Sequence, residues 1–371
     1  MTKIQMIMEQ YRSLVVKKNS PSEDEVKNIV PRYDLISHTD LDGYGCNIVA
    51  QSYLHPVYSV KNVDYNDVDE TIINAIDYAM ADIITIDYKY RHVIFITDLS
   101  SSNQDIIDMI DYINGKNWMI KIILIDHHAT AKKIYESYSW AHFPNDDEVI
   151  SATKLFDRYL SESSRLDEFI NLRSVTPAYF QLVDIISRYD TWEWRNNTCD
   201  EYENENYLNV IFKNFKYKIN FVSHMLKRTE AHIGVNSYKE LYHGFSDVID
   251  EYKESLKLAI EDFNGYKRVI RFNGHIVAIG MCISSYMSEA INSFLINNPQ
   301  IDYAIILNAK NRVISLRSTK NYIDCGDIAK KLSFDGNGGG HKASAGAMVS
   351  IDDFLNLLEK FYGRLEDDEV I

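Results

Sequence analysis

The stretch Ile122-Ile123-Leu124-Ile125-Asp126-His127-His128-Ala129 decides how this chain is read. Its aliphatic run, rich in β-branched residues, has the length and composition of a buried strand over Lys121–Ile125. The strand runs directly into Asp126, His127 and His128. Three ionisable side chains at a buried strand end cost free energy unless they are paired or bound to something. Packing alone is a poor account of them. Upstream lie three further strand-like runs, Leu35–Ser37, Val57–Val60 and Val93–Thr97, separated by helical spacing over Gly45–Leu54, Asp67–Met80 and Asn103–Asn114. Strands alternating with helices predict an α/β fold with a parallel sheet covered on both faces. In such sheets functional residues gather beyond the carboxyl ends of the strands.

Two other strand ends carry acidic groups. Ser37-His38-Thr39-Asp40-Leu41-Asp42-Gly43 follows the first strand. In an extended segment alternate residues share a face, so His38, Asp40 and Asp42 can converge. One imidazole and two carboxylates suit Mn²⁺ or Mg²⁺, and Gly43 would let the chain turn sharply into the next helix. A polar turn with an Asp capping that helix explains the same residues equally well. Ile96-Thr97-Asp98-Leu99-Ser100 places another Asp at a strand end. Taken alone, Asp98 or Ser100 reads as the N-cap of the helix at Asn103. The set of three strand ends on one sheet edge is far more specific than any member.

Residues 1–30 read as a helical extension, broken at Ser20-Pro21-Ser22-Glu23. After Trp194 the spacing is helical to about Asn264. Strand-like segments return at Val269–Phe272, His275–Ile279, Tyr303–Leu307 and Arg312–Arg317, before a glycine cluster, Gly336-Asn337-Gly338-Gly339-Gly340-His341, and a final helix over Asp352–Leu365. This predicts a second, smaller α/β domain. Successive glycines let backbone N–H groups cradle an anion. His341 and Lys342 would add charge and hydrogen bonds, and Arg317 could hold a phosphate bidentately.

His-x-Asp-x-Asp-Gly, a strand-end Asp and Asp-His-His, in this order, resemble the DHH phosphoesterase superfamily. The resemblance continues through Ser151-Ala152-Thr153 and reaches Asp190-Thr191, similar to the family's fourth motif; Asp184 is a rival, and the following Thr favours Asp190. Val313–Ser318 with Gly338–Gly346 is similar to the associated DHHA1 substrate-binding domain. The resemblance implies four parts: an N-terminal helical extension (1–30), a DHH catalytic domain (31–195), a helical connector (196–266) and a DHHA1-like domain (267–371). It implies two divalent ions, Mn²⁺ preferred and Mg²⁺ tolerated. One would be held by His38, Asp40 and Asp98, the second by Asp42, Asp98, His127 and Asp190. Two such ions are balanced in charge by the four carboxylates. His128 would contact the scissile phosphate, and Asp126 would orient His127 or His128. Arg317, Gly338, Gly339, Gly340, His341 and Lys342 would bind the far part of the substrate.

Composition narrows the substrate. Thirty-nine basic against 54 acidic residues give −15, and no basic stripe interrupts that balance. Such a body repels long polyanions and disfavours a long duplex as partner. With a resemblance closest in plan to the nanoRNA-degrading oligoribonucleases, this points to very short oligoribonucleotides or linear dinucleotides cut to 5′-mononucleotides. A cyclic-dinucleotide or other signalling-nucleotide phosphodiesterase, or a 3′-phosphoadenosine 5′-phosphate phosphatase, is the alternative. A nucleotide-binding module without catalysis would need a missing motif carboxylate. No apolar run reaches the roughly 18 residues of a membrane span, and the four cysteines show no CxxC pair. A reducing, cytoplasmic setting is expected. The helical region between the domains is long enough either to reshape the cleft or to mediate a homodimer. Tyr189, Trp192 and Trp194 could stack a base or pack at the domain joint.

Overall fold

The computed structural model describes residues 2–17, 29–85, 90–116, 119–162, 175–193, 203–231, 238–281, 286–308, 310, 312–333 and 338–362. The break at Ser20–Glu23, Trp194, Cys199, Cys282, Gly336, Asn337 and the residues after 362 lie outside them. The chain divides into two compact units, Met1–Phe245 and Ser246–Ile371.

The first unit is built on a five-stranded parallel sheet in the order β2-β1-β3-β4-β5. Its strands are β1 (Val30–Ser37), β2 (Val57–Asn62), β3 (Tyr90–Thr97), β4 (Ile120–Ile125) and β5 (Ala141–His142). The helices are α1 (Lys3–Lys17), α2 (Leu41–Tyr53), α3 (Val68–Thr85), α4 (Gln104–Lys116), α5 (Ala129–Tyr135), α6 (Ala152–Glu162), α7 (Pro177–Asp190), α8 (Glu203–Asn214), α9 (Lys218–Glu230) and α10 (Tyr238–Leu241). Period-two alternation sorts the strand residues between two cores. Ile36, Ile94, Ile96, Ile122 and Leu124 face α1, α3 and α4, meeting Ile7, Tyr11, Ile72, Ile76, Ile106 and Ile110. On the opposite face Phe95 packs on Tyr33 and on Phe156 of α6.

Register places the site. Ser37 of β1 is level with Asn62 of β2 and Thr97 of β3, and Thr97 is level with Ile125 of β4. The segments beginning at His38, Val63, Asp98 and Asp126 therefore leave the sheet along one line. The strand order reverses between β1 and β3, so this line is the switch point where open α/β sheets bind ligands. A hydroxyl clasp, Thr97 Oγ1 to Ser37 Oγ at 2.8 Å, joins the two strand ends.

The second unit carries a six-stranded mixed sheet, β10-β11-β9-β8-β7-β6. Here β6 is Arg268–Phe272, β7 His275–Met281, β8 Tyr303–Asn308, β9 Val313–Arg317, β10 Gly338–His341 and β11 Ser344–Met348. Only β7 and β8 pair in parallel. Helices α11 (Ser246–Tyr266) and α12 (Met287–Asn297) cover one face through Phe263, Ile291 and Phe294, and α13 (Cys325–Leu332) and α14 (Ile351–Tyr362) cover the other through Ala329, Leu332 and Leu357. The helical stretch assigned from sequence to a connector over 196–266 is shared out. α8 and α9 pack within the first unit and α11 within the second. Among the described residues no helix is long and apolar enough to cross a membrane.

Candidate metal centre

The motif after β1 enters α2 with Asp40 as N-cap, its Oδ1 accepting from the Gly43 amide at 3.0 Å. Its second oxygen stands 3.0 Å from His38 Nδ1. Asp40 thus caps the helix with one oxygen and turns the other to His38. Gly43 is needed for close approach, because a Cβ there would lie 2.2 Å from the His38 carbonyl oxygen.

Asp42 is almost wholly buried. Its carboxylate accepts from the Ala152 and Thr153 amides at 2.8 and 3.0 Å, capping α6 from a distant part of the chain. Thr153 Oγ1 returns a bond to the Asp42 carbonyl at 2.7 Å. This second task of Asp42 was not foreseen from the sequence.

Asp98 does not cap α4. Asn103 does, accepting from the Asp105 amide at 3.0 Å. Asp98 instead adopts the left-handed backbone region, φ 63°, with its amide bonded to the Ile125 carbonyl at 3.0 Å. Asp is among the few residues that tolerate that region. Its side chain is buried, with Oδ2 3.9 Å from His38 Nδ1 and Oδ1 3.4 Å from His127 Nε2. His127 Nε2 is also 3.5 Å from Asp190 Oδ2 and 3.9 Å from Asp42 Oδ2. The rival carboxylate is engaged elsewhere: Asp184 pairs with Lys154 at 2.8 Å and Arg188 at 3.4 Å.

Two groupings of possible ligand atoms result, His38–Asp40–Asp98 and Asp42–His127–Asp190, each within 4.8 Å. A third, Asp98–His127–His128, overlaps both residues at the centre. Asp98 Oδ2, His127 Nε2 and Asp190 Oδ2 are buried yet make no hydrogen bond among the described residues. Two carboxylates at 4.8 Å repel by about 3 kcal/mol at an effective dielectric of about 20. Burial and the charges of Asp42, Asp40 and Asp190 accordingly push the Asp98 carboxyl well above its ordinary range. Asp190 is raised by burial and by Asp42 and Asp40. Atoms bound to one divalent ion at about 2.1 Å would stand about 3.0–3.4 Å apart. The His127–Asp98–Asp190 spacing is close to that. Carboxylates and imidazoles concentrated here form a donor set that divalent cations fit.

Asp126 serves His128. It bonds the His128 ring Nδ1 at 2.7 Å and the His128 amide at 3.0 Å, while its own amide is held by the His142 carbonyl of β5. Burial alone would raise the Asp126 carboxyl, but these bonds hold it below the usual range. The same contact, against the pull of burial, raises His128.

One contributor was missed from sequence. Tyr65, just past β2, sets its ring 4.9 Å from His38 and edge-on to His128 at 6.5 Å. Only the register of β2 beside β1 places it there, and that is a property of the strand order. Trp192 lies just beyond Asp190, with φ 59°.

In the second unit, His341, Ser344 and Arg317 are register neighbours across β10, β11 and β9. Arg317 is buried, and it donates to the Leu316 carbonyl at 2.7 Å and to Ser288 Oγ at 2.6 Å. Lys342 is exposed at the β10–β11 turn. Gly338, Gly339 and Gly340 do not form a free anion cradle. They are the edge strand β10, paired with Ala347, Gly346 and Ala345. Alternate amides of such a strand point in opposite directions, so the run cannot turn all its N–H groups on one anion. Gly338 and Gly340 serve packing. A Cβ at Gly338 would lie 2.3 Å from the Ala329 carbonyl of α13, and Gly340, at φ 142°, would meet Ala345 at 2.6 Å.

Comparison with known proteins agrees with this architecture. Residues 276–366 match the DHHA1 domain family. The chain is 28% identical to oligoribonuclease NrnB of Bacillus subtilis, over 86% of this chain and 73% of that protein. It is 24% identical to a 3′,5′-cyclic-nucleotide phosphodiesterase of Helicobacter pylori, over 85% and 92%. In fold it is similar to the pGpG-specific phosphodiesterase PggH of Vibrio cholerae (TM-score 0.50, 14% identity, 88% of this chain and 96% of that one). It is likewise similar to Thermus thermophilus RecJ solved with Mn²⁺ (TM-score 0.50, 11% identity, 99% of this chain and 55% of that one). With strand-end carboxylates and imidazoles gathered at one switch point, and a match to the DHHA1 domain family after them, the chain is similar to phosphodiesterases and nucleases of the DHH type.

Proposed function

We propose that the chain is a two-metal phosphodiesterase, preferring Mn²⁺, that hydrolyses very short oligoribonucleotides or linear dinucleotides to 5′-mononucleotides. The observation that carries this reading is the convergence of two ligand groupings about Asp98 and His127. His38, Asp40 and Asp98 would hold one ion, and Asp42, Asp98, His127 and Asp190 the other. Bound there, two divalent ions supply Lewis-acid charge for an in-line displacement at phosphorus. The chain's own residues do the rest. Asp126 fixes the His128 imidazole through Nδ1, and Nε2 is the nitrogen we assign to the scissile phosphate. Arg317, His341 and Lys342 are assigned to the far part of the substrate. The −15 charge supports a short substrate over a long one, and the similarity to an oligoribonuclease supports the same class.

A panel of a dinucleotide, a five-mer and a long single strand, with Mn²⁺, tests this. The first two should be consumed to 5′-mononucleotides, the long strand largely spared, and turnover abolished by chelator. Full activity in chelator would sink the metal mechanism, and preferred digestion of the long strand would sink the substrate class. The relative acting on 3′,5′-cyclic nucleotides supports a second reading. Cyclic mono- and dinucleotides and 3′-phosphoadenosine 5′-phosphate belong in the same panel, and preferential turnover of one of them would favour a signalling-nucleotide enzyme.

A further inference from the structure

Tyr65 is an exposed residue held at the rim of the centre by its backbone. Val63 donates to the Ser37 carbonyl at 2.8 Å, Asn62 Nδ2 to the His38 carbonyl at 2.8 Å, and Thr39 Oγ1 to Asp64 at 2.6 Å. These bonds clip the segment after β2 onto the His38 segment, and the ring is seated between His38 and His128. Its hydroxyl lies in the field of Asp98, Asp126, Asp40 and Asp190, yet hydrogen-bonds to none of the described residues. A donor held beside carboxylates it does not bond is placed to meet an anion that arrives among them.

We infer that the Tyr65 hydroxyl donates a hydrogen bond to a non-bridging oxygen of the scissile phosphodiester. This rests on the phosphodiesterase reading above. It makes Tyr65 a substrate-contacting residue, with the ring as its support against His38. Any phosphodiester offers such an oxygen, so the contact acts on nucleotide and simple diesters alike.

The test compares wild type with Tyr65→Phe, which keeps the ring packing, and with Tyr65→Ala, which removes it. Steady-state kinetics on a dinucleotide and on bis(p-nitrophenyl) phosphate are measured beside Mn²⁺ affinity by calorimetry. Tyr65→Phe should lose about ten- to a hundredfold in kcat/KM on both substrates, with Mn²⁺ affinity unchanged. Tyr65→Ala should lose at least as much. Unchanged kcat/KM in Tyr65→Phe overturns the inference. An equal loss of Mn²⁺ affinity in Tyr65→Phe also overturns it, since the residue would then act only through His38. If wild type cleaves the simple diester but no nucleotide, the substrate class fails while the Tyr65 comparison is still read on the simple diester. If nucleotides are cleaved and Tyr65→Phe matches wild type, only the Tyr65 inference fails.

Discussion

Asp190 and Asp184 lie on one helix, α7, and both are plausible fourth carboxylates in sequence. Geometry separates them, since Asp184 is neutralised by Lys154 and Arg188 while Asp190 faces His127. Asp190→Asn should lower kcat/KM by at least about a hundredfold, whereas Asp184→Asn should stay within about threefold; steady-state kinetics with saturating Mn²⁺ checks both. Glu205 offers a test of stability. It is fully buried on α8 beside Arg188 at 2.9 Å, and burial, only partly offset by a backbone hydrogen bond and the Arg188 charge, pushes its carboxyl up to about 7. Between about pH 4.5 and 7 the native state keeps a proton that the unfolded chain releases, so this residue's contribution falls as pH rises. Denaturant unfolding at pH 5 and pH 8 should show wild type losing stability relative to Glu205→Gln, by on the order of 2–3 kcal/mol. A flat difference would refute the buried, protonated Glu205. At this scale the motif residues were legible in sequence because few alternatives explain Asp-His-His at a strand end. The α6-capping role of Asp42 and the presence of Tyr65 were not, since both depend on partners far along the chain.

Among the elements, β4 was legible almost to the residue because Ile122–Ile125 is an unbroken aliphatic run. β1 begins at Val30, well before the Leu35 expected from sequence. Pro31, Arg32 and Asp34 do not resemble a buried strand. Each charged side chain finds its partner only in the fold. Arg32 pairs with Asp82 at 2.7 Å beneath the Tyr58 and Tyr90 rings, and Asp34 stands 3.5 Å from buried His92. Tertiary pairing there overrides local pattern. The glycine cluster misled in the opposite sense, since open backbone suggested ligand chemistry where β10 needed room against α13. Gly338→Ala should destabilise the second unit by about 1–3 kcal/mol. Gly339→Ala, where a Cβ meets nothing within 4 Å, should cost about 1 kcal/mol or less. Chemical unfolding of the two variants distinguishes this packing role from a purely ligand-binding one, which would leave both stable.

For the whole molecule, alternating strands and helices followed by a second strand-rich segment made the two-sheet plan readable. Which sheet each middle helix joins was not readable, because amphipathic helices look alike until their buried face has a partner. The concentrated carboxylates of the first unit set its response to metal. Mn²⁺ at about a hundred times its dissociation constant should stabilise the native chain by about 2.7 kcal/mol, a rise in Tm of roughly 5–10 °C. Thermal scans with and without chelator measure it, and an Asp190→Asn chain should show much less. The α6-capping bonds of Asp42 bear on how an inert enzyme should be made for trapping a bound nucleotide. Under the proposed ligand set, replacing Asp42 would remove a metal ligand and unseat a helix together, so a dead variant at that position could not tell lost turnover from lost fold. Asp190 ends α7, where the helix macrodipole disfavours negative charge. Its amide counterpart should relieve that repulsion, which makes Asp190→Asn the better snare for soaking and crystallising an uncut substrate.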